Sequence, residues 1–314
     1  MPKFRILGVG ELLWDMLPAG PQLGGAPANF SVMAARLGDD VALMSRLGND
    51  SLGELALNRL GNFPIERRLI QRDAGAATGR VNVEIAEGQA SYVFEDPSAW
   101  DFLELTEEWR SEAARADAIC FGTLGQRGAV SRETIHGLLR EARPECMRIC
   151  DANLRAPYFN ADILRTSLQL ATVLKLNDAE MPQVLELLGL PQPDSELSQS
   201  SISPLERLRL DAEHMLGEFP ELTLVAVTRG AMGSLLVSRS EWHYHAGIPA
   251  QVADTVGAGD AFNAALTHYL LRGASLQTLN EAGNRWGSYI ASKAGAMPEI
   301  EPSAFEEIVR AIEE

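Results

Sequence analysis

A short stretch near residue 260 combines residue types that can bind a phosphate and accept a proton. Residues 254–262 read Asp-Thr-Val-Gly-Ala-Gly-Asp-Ala-Phe, and apolar residues continue at helical spacing from Phe262 until Gly273. The two glycines therefore lie where a loop becomes a helix, and the free N–H groups and positive dipole of that helix end can bind phosphate. A carboxylate repels phosphate, which predicts that Asp260 serves as a base for an attacking hydroxyl.

The same residues fit three other patterns. Gly-x-Gly-x-x-Ala is a weak dinucleotide fingerprint, but that motif opens a nucleotide-binding domain, and only helical segments follow here. A Walker A loop requires a lysine after its second glycine, and none is present. A plain glycine-rich helix start, with an acid favoured by the helix dipole, stays open on the local spacing alone.

Strand-like apolar runs alternate with helical segments over most of the chain. This alternation predicts an α/β fold whose mostly parallel sheet is covered by helices on both faces. The main strand-like runs are residues 4–9, 41–47, 118–121, 147–150, 173–176 and 222–227, and the helical segments include residues 30–37, 51–60, 132–141, 205–216 and 279–292. Residues 191–204, which are rich in Ser and Pro, are expected to form a surface loop.

Residues 78–95 break this alternation. Val81, Val83 and Ile85 alternate with polar residues, and a Glu-Gly-Gln turn precedes a second alternating run. The pattern predicts a half-exposed antiparallel hairpin, which is barely stable alone and must pack on another element. It could extend the edge of the main sheet or form a small sheet of its own.

Composition limits the class of protein. The net charge of −16, without a visible basic patch, argues against a nucleic-acid partner. No apolar run approaches the roughly 18–20 residues of a membrane span, and no signal-peptide pattern is visible. Cys120, Cys146 and Cys150 match no zinc spacing or disulfide framework, so we expect buried free thiols in a cytoplasmic protein.

The motif at residues 254–262 resembles the C-terminal signature of the ribokinase-like (PfkB-type) sugar kinases. A second family motif, Gly-Gly-Ala-Pro-Ala-Asn, occurs at residues 24–29, in the expected order and at the expected separation. The resemblance covers essentially the whole chain. It implies one ribokinase-like domain over residues 1–314, a three-layer α/β sandwich with a mostly parallel sheet, and a small β-sheet lid formed by about residues 11–23 and 78–100. A homodimer through packed lids is expected.

Several polar residues are candidates for sugar binding. Asp15 is a lone acid in an apolar segment, and its partner could be a sugar hydroxyl or a backbone N–H. Asn29 could simply cap the helix that follows it. The resemblance implies that Asp15 and Asn29 hydrogen-bond the sugar and that Gly25 lets the sugar approach the backbone. Asn153 and Arg155 belong to an Asp-x-Asn-x-Arg segment that follows a strand, where ligands bind in open α/β sheets.

Asp151 or Arg155, in that segment, could instead form a structural ion pair. On the nucleotide side, the resemblance implies contacts from Lys175 and Asn177. Thr228, Gly230 and Gly233 match the family's nucleotide loop, and Asn284 matches its nucleotide-contacting asparagine. An ordinary strand–turn–strand would also explain the loop. That list of candidate contacts is Lys175, Asn177, Thr228, Gly230, Gly233 and Asn284.

Two acids are candidate metal ligands. Glu180 matches the family's Asn-x-x-Glu motif, in which it acts on Mg²⁺ largely through water. Asn177 and Glu180 also fit the start of a capped helix, so that alternative stays open. Asp254 keeps the acidic position beside a monovalent cation site, which makes K⁺ a possible second cofactor. Glu299 occupies a place where a small hydroxyl residue is usual, which weakens that expectation.

The resemblance implies ATP-dependent phosphorylation of a sugar hydroxyl, with ATP and Mg²⁺ as cofactors. The amides of Gly257, Ala258, Gly259 and Asp260 would form an anion hole for the transferred phosphoryl group. The motif contexts are most similar to fructokinases, which predicts conversion of D-fructose to fructose 6-phosphate. Ribokinase, nucleoside kinase and 2-keto-3-deoxygluconate kinase remain alternatives, the last because Arg155 suits an acid sugar. A catalytically silent sugar- or nucleotide-binding regulator is the rival from another class.

Overall fold

This computed structural model describes residues 2–18, 20–86, 89–190 and 202–313, without the side chains of residues 83–86 and 89–92. The strands are β1 Arg5–Val9, β2 Leu13–Leu17, β3 Gly20–Gly24, β4 Asp40–Gly48, β5 Ile70–Asp73, β6 Gly79–Ala86, β7 Gln89–Phe94, β8 Ala118–Gly122, β9 Met147–Asp151, β10 Val173–Asn177, β11 Leu224–Thr228, β12 Ser234–Ser238 and β13 Trp242–His245. The helices are α1 Ala26–Arg36, α2 Ser51–Leu60, α3 Glu107–Ala113, α4 Ala129–Glu141, α5 Ala161–Leu170, α6 Glu180–Leu188, α7 Pro204–Glu218, α8 Ala258–Leu270, α9 Leu276–Ala291 and α10 Pro302–Glu313. Among the described residues, no helix is both long and apolar enough to cross a membrane.

Nine strands form one sheet in the order β13-β12-β11-β10-β9-β8-β1-β4-β5. Neighbours from β11 to β5 pair in parallel, whereas β12 and β13 pair antiparallel at one edge. Ile6 belongs to the core beneath α1, α8 and α9, and the next residue, Leu7, belongs to the core beneath α4, α6 and α7. Because successive strand residues point to opposite faces, helices cover both sides of the sheet, and the predicted three-layer α/β sandwich is confirmed.

A second, four-stranded sheet has the order β3-β2-β6-β7. Strand β2 pairs in parallel with β6, and β6 forms an antiparallel hairpin with β7. The predicted hairpin is therefore confirmed, and its alternative interpretation as an extension of the main sheet is wrong, because β2 supplies its partner strand. Val81 is only 1% exposed within the single chain, and the side chains of Val83 and Ile85 lie outside the described residues.

Helix α1 begins at Ala26 rather than at residue 30. Gly25 precedes it with φ +108°, and Pro27 lies in the first turn, where its missing N–H costs nothing. Asn29 is consequently a helical residue that cannot cap this helix, and the capping interpretation is wrong. Of the predicted loop over residues 191–204, residues 191–201 lie outside the described part of the chain.

A buried ion-pair network fixes the end of α8 against the turn before β4. The Asp39 carboxylate, 0% exposed, accepts hydrogen bonds of 2.7 Å from His268 Nδ1 and 2.7 Å from Arg272 Nη2. Burial acts to raise the pKa of Asp39, but these two hydrogen bonds outweigh it and hold the pKa below its usual value. The network therefore stabilises the fold at neutral pH, and this contribution is lost as the pH falls through the depressed pKa.

Asp39→Asn is expected to lower the free energy of unfolding by about 3–5 kcal/mol, because it leaves the buried guanidinium of Arg272 without its carboxylate. Urea denaturation at neutral pH measures the effect. The matched control is Asp40→Asn, where the carboxylate is 59% exposed and pairs with Arg5, and where the expected loss is at most about 1 kcal/mol. Equal losses in the two variants would contradict the network's role.

Candidate active site

Asp260 is the third residue of α8, which begins after Gly257 in a left-handed conformation with φ +80°. The residue is partly exposed, but protein atoms surround its carboxyl group, and Asn29 donates from Nδ2 to Oδ2 at 2.7 Å. Burial is the main cause that raises the pKa of Asp260 to about 6; Asp151 adds to it and Lys175 opposes it. A carboxylate with a pKa near neutrality is suited to accept a proton.

The amides in the first turn of α8 precede the helical hydrogen-bond ladder. The first helical hydrogen bond runs from Ala261 N–H to the Gly257 carbonyl at 2.9 Å, whereas the Ala258 amide donates to the Thr255 carbonyl at 3.3 Å. A side chain at Gly257 would approach Ala296 Cα within 2.7 Å, and one at Gly259 would lie 3.1 Å from Lys175 Nζ. The loop is therefore fixed between residue 296 on one side and Lys175 on the other.

Lys175 and Asp151 form a buried pair directly beneath this loop. Lys175 Nζ lies 3.0 and 3.2 Å from the two carboxylate oxygens of Asp151, and the two residues are opposite each other on the parallel strands β9 and β10. Burial acts to lower the pKa of Lys175, but the charges of Asp151 and Asp260 outweigh it, so the pKa is raised. The possible structural ion pair of Asp151 is confirmed, and its partner is Lys175 rather than Arg155.

The small sheet and the loop after β9 bring the predicted sugar-binding residues together. A side chain at Gly24 would lie 2.7 Å from Asp15 Oδ2, which places the carboxyl of Asp15 against the start of the Gly-Gly-Ala-Pro-Ala-Asn motif. Burial raises the pKa of Asp15 to about 6, and the charge of Arg155 opposes this shift. Arg155 also lowers the pKa of Asp260. Asn153 has a positive φ of 37°, which turns the loop sharply after the strand.

Arg155 is exposed and has no carboxylate within salt-bridge distance among the residues the structure describes. Its charge nevertheless acts on three acids, Glu11, Asp15 and Asp260. A cation that faces several acids without pairing to one of them is available to a ligand. The sequence singled out Arg155, whereas the nearby Glu11 was not among the candidate site residues.

The end of β11 and the loop that follows it contain the predicted nucleotide residues Thr228, Gly230 and Gly233. The two strands pair antiparallel, so the strand–turn–strand interpretation is confirmed. Gly230 and Gly233 have φ values of +55° and +82°, and a side chain at Gly233 would approach the His245 carbonyl within 1.9 Å. Thr228 lies opposite Asn177 on the neighbouring strand β10. The two predicted nucleotide segments therefore adjoin each other at the ends of adjacent strands.

Asn284 is 8% exposed and ties α9 to the start of β12. Its Nδ2 donates to Ser234 Oγ at 2.6 Å and to the Asn280 carbonyl at 2.7 Å. These contacts anchor the predicted nucleotide residue firmly within the fold.

The carboxylate of Glu180 connects the loop after β9 to the end of β10. One carboxylate oxygen accepts from Leu154 N–H at 2.7 Å and the other from Asn177 N–H at 2.8 Å, while Asn177 Oδ1 accepts from the Glu180 amide at 2.9 Å. The two residues exchange hydrogen bonds as in a capping box. Helix α6 nevertheless begins at Glu180, with Ala179 as its N-cap and no side-chain cap, so the predicted capped helix start at Asn177 is wrong. Burial is the main cause that raises the pKa of Glu180.

The contacts of Asp254 join two loops near α8. Its two carboxylate oxygens accept from Val256 N–H at 3.0 Å and from Gly295 N–H at 3.1 Å. Glu299 lies exposed four residues further along the second loop. Within the described ranges, no group of three or more His, Cys, Asp or Glu side chains is positioned to hold a metal ion.

Comparisons with known proteins identify the family of this chain. The model of the pfkB family of carbohydrate kinases matches residues 21–303. A fructokinase from Escherichia coli is 27% identical over 314 residues, covering 93% of this chain and 95% of that protein. An uncharacterised sugar kinase from Pyrococcus horikoshii has a TM-score of 0.81 at 25% identity, covering 98% and 99% of the two chains. The ATP-bound fructokinase from Xylella fastidiosa has a TM-score of 0.80 at 23% identity, with both chains covered completely.

The chain therefore belongs to the pfkB family of carbohydrate kinases, with the ribokinase-like fold. Within that family, it is an ATP-dependent sugar kinase.

Proposed function

We propose that this enzyme is a fructokinase that transfers the terminal phosphoryl group of ATP to D-fructose, giving fructose 6-phosphate. The observation that carries the chemistry is the carboxyl of Asp260, held by Asn29 at the start of α8 with a pKa raised to about 6. Fructokinases recur among the relatives, at 27–28% identity for those from Escherichia coli and Oryza sativa. The combined contexts of Asp15 and Asn29 support the same substrate.

In the proposed reaction, Asp260 takes the proton of the sugar hydroxyl as its oxygen attacks the phosphorus of ATP, and ADP leaves. The amides of Gly257, Ala258, Gly259 and Asp260 stabilise the phosphoryl oxygens as an anion hole. The sugar is bound by groups from both sheets, and the small sheet acts as a lid that excludes water. Its proposed ligands are Asp15, Gly25, Asn29, Asn153 and Arg155.

On the nucleotide side, we assign contacts to the adjoining ends of β10 and β11, the loop after β11, and α9. The proposed contact residues are Lys175, Asn177, Thr228, Gly230, Gly233 and Asn284. The position of Lys175 beneath Gly259 gives it a further task, since its charge reaches the phosphoryl site from below. Asn177 and Thr228 lie side by side, which favours one shared phosphate-binding surface.

Bound Mg²⁺ would neutralise phosphate charge. The geometry of Glu180 fits an indirect contact, because both of its carboxylate oxygens already accept backbone hydrogen bonds, so water would link it to the ion. We propose K⁺ as a second cofactor near Asp254, whose carboxylate joins the loops at residues 254–256 and 295. Rates measured with K⁺ and with Na⁺ test this; equal rates would contradict it.

The surroundings of Arg155 favour a neutral sugar over an acid sugar. Its charge is already opposed by Glu11, Asp15 and Asp260, so a substrate carboxylate would add to an acidic site. A coupled ADP-release screen over fructose, ribose, 2-keto-3-deoxygluconate and nucleosides is expected to give the highest kcat/KM for fructose. Ribose or an acid sugar exceeding fructose by about tenfold, or 1.4 kcal/mol, would overturn the assignment. ATP turnover that does not depend on any sugar would instead favour a binding regulator.

The pH profile of kcat/KM is expected to fall below about pH 6 by about tenfold per pH unit, because only ionised Asp260 accepts a proton. This acid limb lies at a higher pH than an ordinary aspartate would give, because burial raises the pKa of Asp260. Asp15 has a similar pKa of about 6, so Asp15→Asn is the control. It should weaken fructose binding but keep the acid limb; a limb that disappears in Asp15→Asn would assign the titration to Asp15.

We further propose a homodimer in which the small sheets of two chains pack together. One observation that supports this is Val93 on β7, an apolar side chain that is 46% exposed. In addition, a single chain offers little to cover the outer face of the four-stranded sheet. Val81, in contrast, is already buried within the chain and cannot contribute much to such an interface. Light scattering at micromolar concentration should give twice the monomer mass; a monomer would refute the dimer.

We also propose a cytoplasmic location. Cys120, Cys146 and Cys150 are buried free thiols, as expected in a reducing compartment. Cell fractionation with antibody detection tests the location, and recovery of the protein outside the cytoplasmic fraction would contradict it.

A further inference from the structure

Glu11 is a buried acid beside the proposed active site. It follows β1 and Gly10, is 3% exposed, and accepts from Ala26 N–H through Oε1 at 3.3 Å. Its other oxygen, Oε2, is buried and has no hydrogen-bond partner among the described residues. A buried carboxyl group with one free oxygen is costly, so its retention at this place calls for a functional explanation.

The contact with Ala26 supplies what the local sequence of α1 leaves out. Ala26 is the first residue of that helix, Gly25 offers no side-chain cap, and the first turn contains no acid. The carboxyl of Glu11 therefore satisfies a free amide and places an acid at the positive end of the helix dipole. The backbone is equally close, because a side chain at Gly25 would lie 2.5 Å from the Glu11 carbonyl.

The position of α1 also determines the position of a side chain that contacts the proposed base, Asp260. Asn29 lies one turn after Ala26, and its Nδ2 donates to Asp260 Oδ2 at 2.7 Å. A rotation or shift of the first turn would move Asn29 relative to Asp260. The contacts thus run in one series from Glu11 to Ala26, through α1 to Asn29, and on to Asp260.

The charged surroundings of Glu11 link it to the same chemistry. Four titratable groups surround Glu11. Asp260 belongs to α8 and Arg155 to the loop after β9. Asp151, at the end of β9, and Cys120, in β8, line a small cavity together with Glu11. Burial is the main cause that raises the pKa of Glu11 to about 7, and the charge of Asp260 adds to it. Hydrogen bonds from the amides of Glu11 itself and Ala26, and the charge of Arg155, oppose this shift.

We propose that Glu11 is a positioning residue for phosphoryl transfer: its carboxyl group holds the first turn of α1 and so sets the position in which Asn29 meets Asp260. This role rests on the proposed function of Asp260 as the base. In this role Glu11 acts through α1 and contacts neither the sugar nor ATP. Its replacement should therefore lower kcat without weakening the binding of either substrate.

Glu11→Ala and Glu11→Gln test the proposal, with Glu145→Gln as the exposed control in the turn before β9. The alanine variant is expected to lower kcat by roughly ten- to a hundredfold, since small displacements of catalytic groups cost up to about 10²-fold, with little change in KM for ATP. Glutamine keeps the size and an acceptor for Ala26 N–H, so it should recover most of kcat. At the pH where Asp260 titrates, Glu11, with its pKa of about 7, is already mostly protonated, so the acid limb of kcat/KM should stay near pH 6 in this variant.

Circular dichroism and a melting curve establish whether each variant is folded. A folded Glu11→Ala enzyme within about threefold of wild-type kcat, or glutamine that recovers nothing, overturns the proposal. If Glu11→Ala does not fold, Glu11→Met, which keeps the length but cannot accept from Ala26 N–H, decides: a kcat lowered more than about threefold supports the role, and a kcat within about threefold of wild type overturns it. Wild-type protein inactive toward every sugar would refute the proposed function itself, whereas an active wild type with unaffected Glu11 variants refutes this inference alone.

Discussion

Asp260→Asn is expected to lower kcat by at least about a hundredfold while ATP binding stays the same or improves. Asparagine is nearly isosteric with aspartate, so the start of α8 and the amides before it should keep their positions. The change removes the proton acceptor, and general-base catalysis typically contributes ~10²–10⁴-fold. It also removes a negative charge next to the phosphates of ATP, so the affinity for ATP should stay the same or increase.

Steady-state kinetics with fructose and a separate ATP-binding titration distinguish the two effects. Asp162→Asn is the matched control, because Asp162 is likewise an acid in the first turn of a helix, α5, but lies away from the site. There the expected change is a loss of stability of roughly 0.3–1 kcal/mol and normal turnover. A folded Asp260→Asn enzyme that keeps more than about a tenth of wild-type kcat would end the general-base assignment.

Periodicity was enough to predict the layers of this fold. Alternation of strand and helix predicts a parallel sheet covered on both faces, and the shift to period two at residues 78–95 predicts a hairpin. These patterns are local and depend on burial of one face or both. The residue at which α1 begins was not predictable in the same way, because Gly25 and Pro27 permit helix earlier than the apolar pattern shows.

The contacts of the site depend on which strands become neighbours, which no local pattern contains. Asp151 and Lys175 are opposite each other on β9 and β10, and this register follows only once the strand order is known. Asn29 and Asp260 are 231 residues apart in sequence yet 2.7 Å apart in space. A polar residue directly after the buried strand β1 was the one signal for Glu11, and it does not reveal the partner at Ala26.

The buried pair of Asp151 and Lys175, beneath the loop before α8, acts on the pKa of Asp260. Burial is the main cause that raises this pKa; the charge of Asp151 raises it further, and the charge of Lys175 lowers it. Because Lys175 lies within hydrogen-bond distance of Asp151 and reaches to within 3.1 Å of the position of a side chain at Gly259, it neutralises Asp151 and acts on the loop at the same time. We therefore expect this pair to affect both the stability of the loop and the pKa of Asp260.

Lys175→Met is expected to destabilise the fold by about 3–5 kcal/mol and to shift the acid limb of kcat/KM to higher pH, because it leaves Asp151 buried without its cation. The higher pKa of Asp260 then lowers activity at neutral pH. Urea denaturation and a pH–rate profile measure the two effects. In the double variant Asp151→Asn/Lys175→Met, both charges are gone, so stability and the position of the acid limb should return towards the wild-type values. A limb that does not move in Lys175→Met, or a double variant no more stable than the single one, would show that the pair does not tune Asp260.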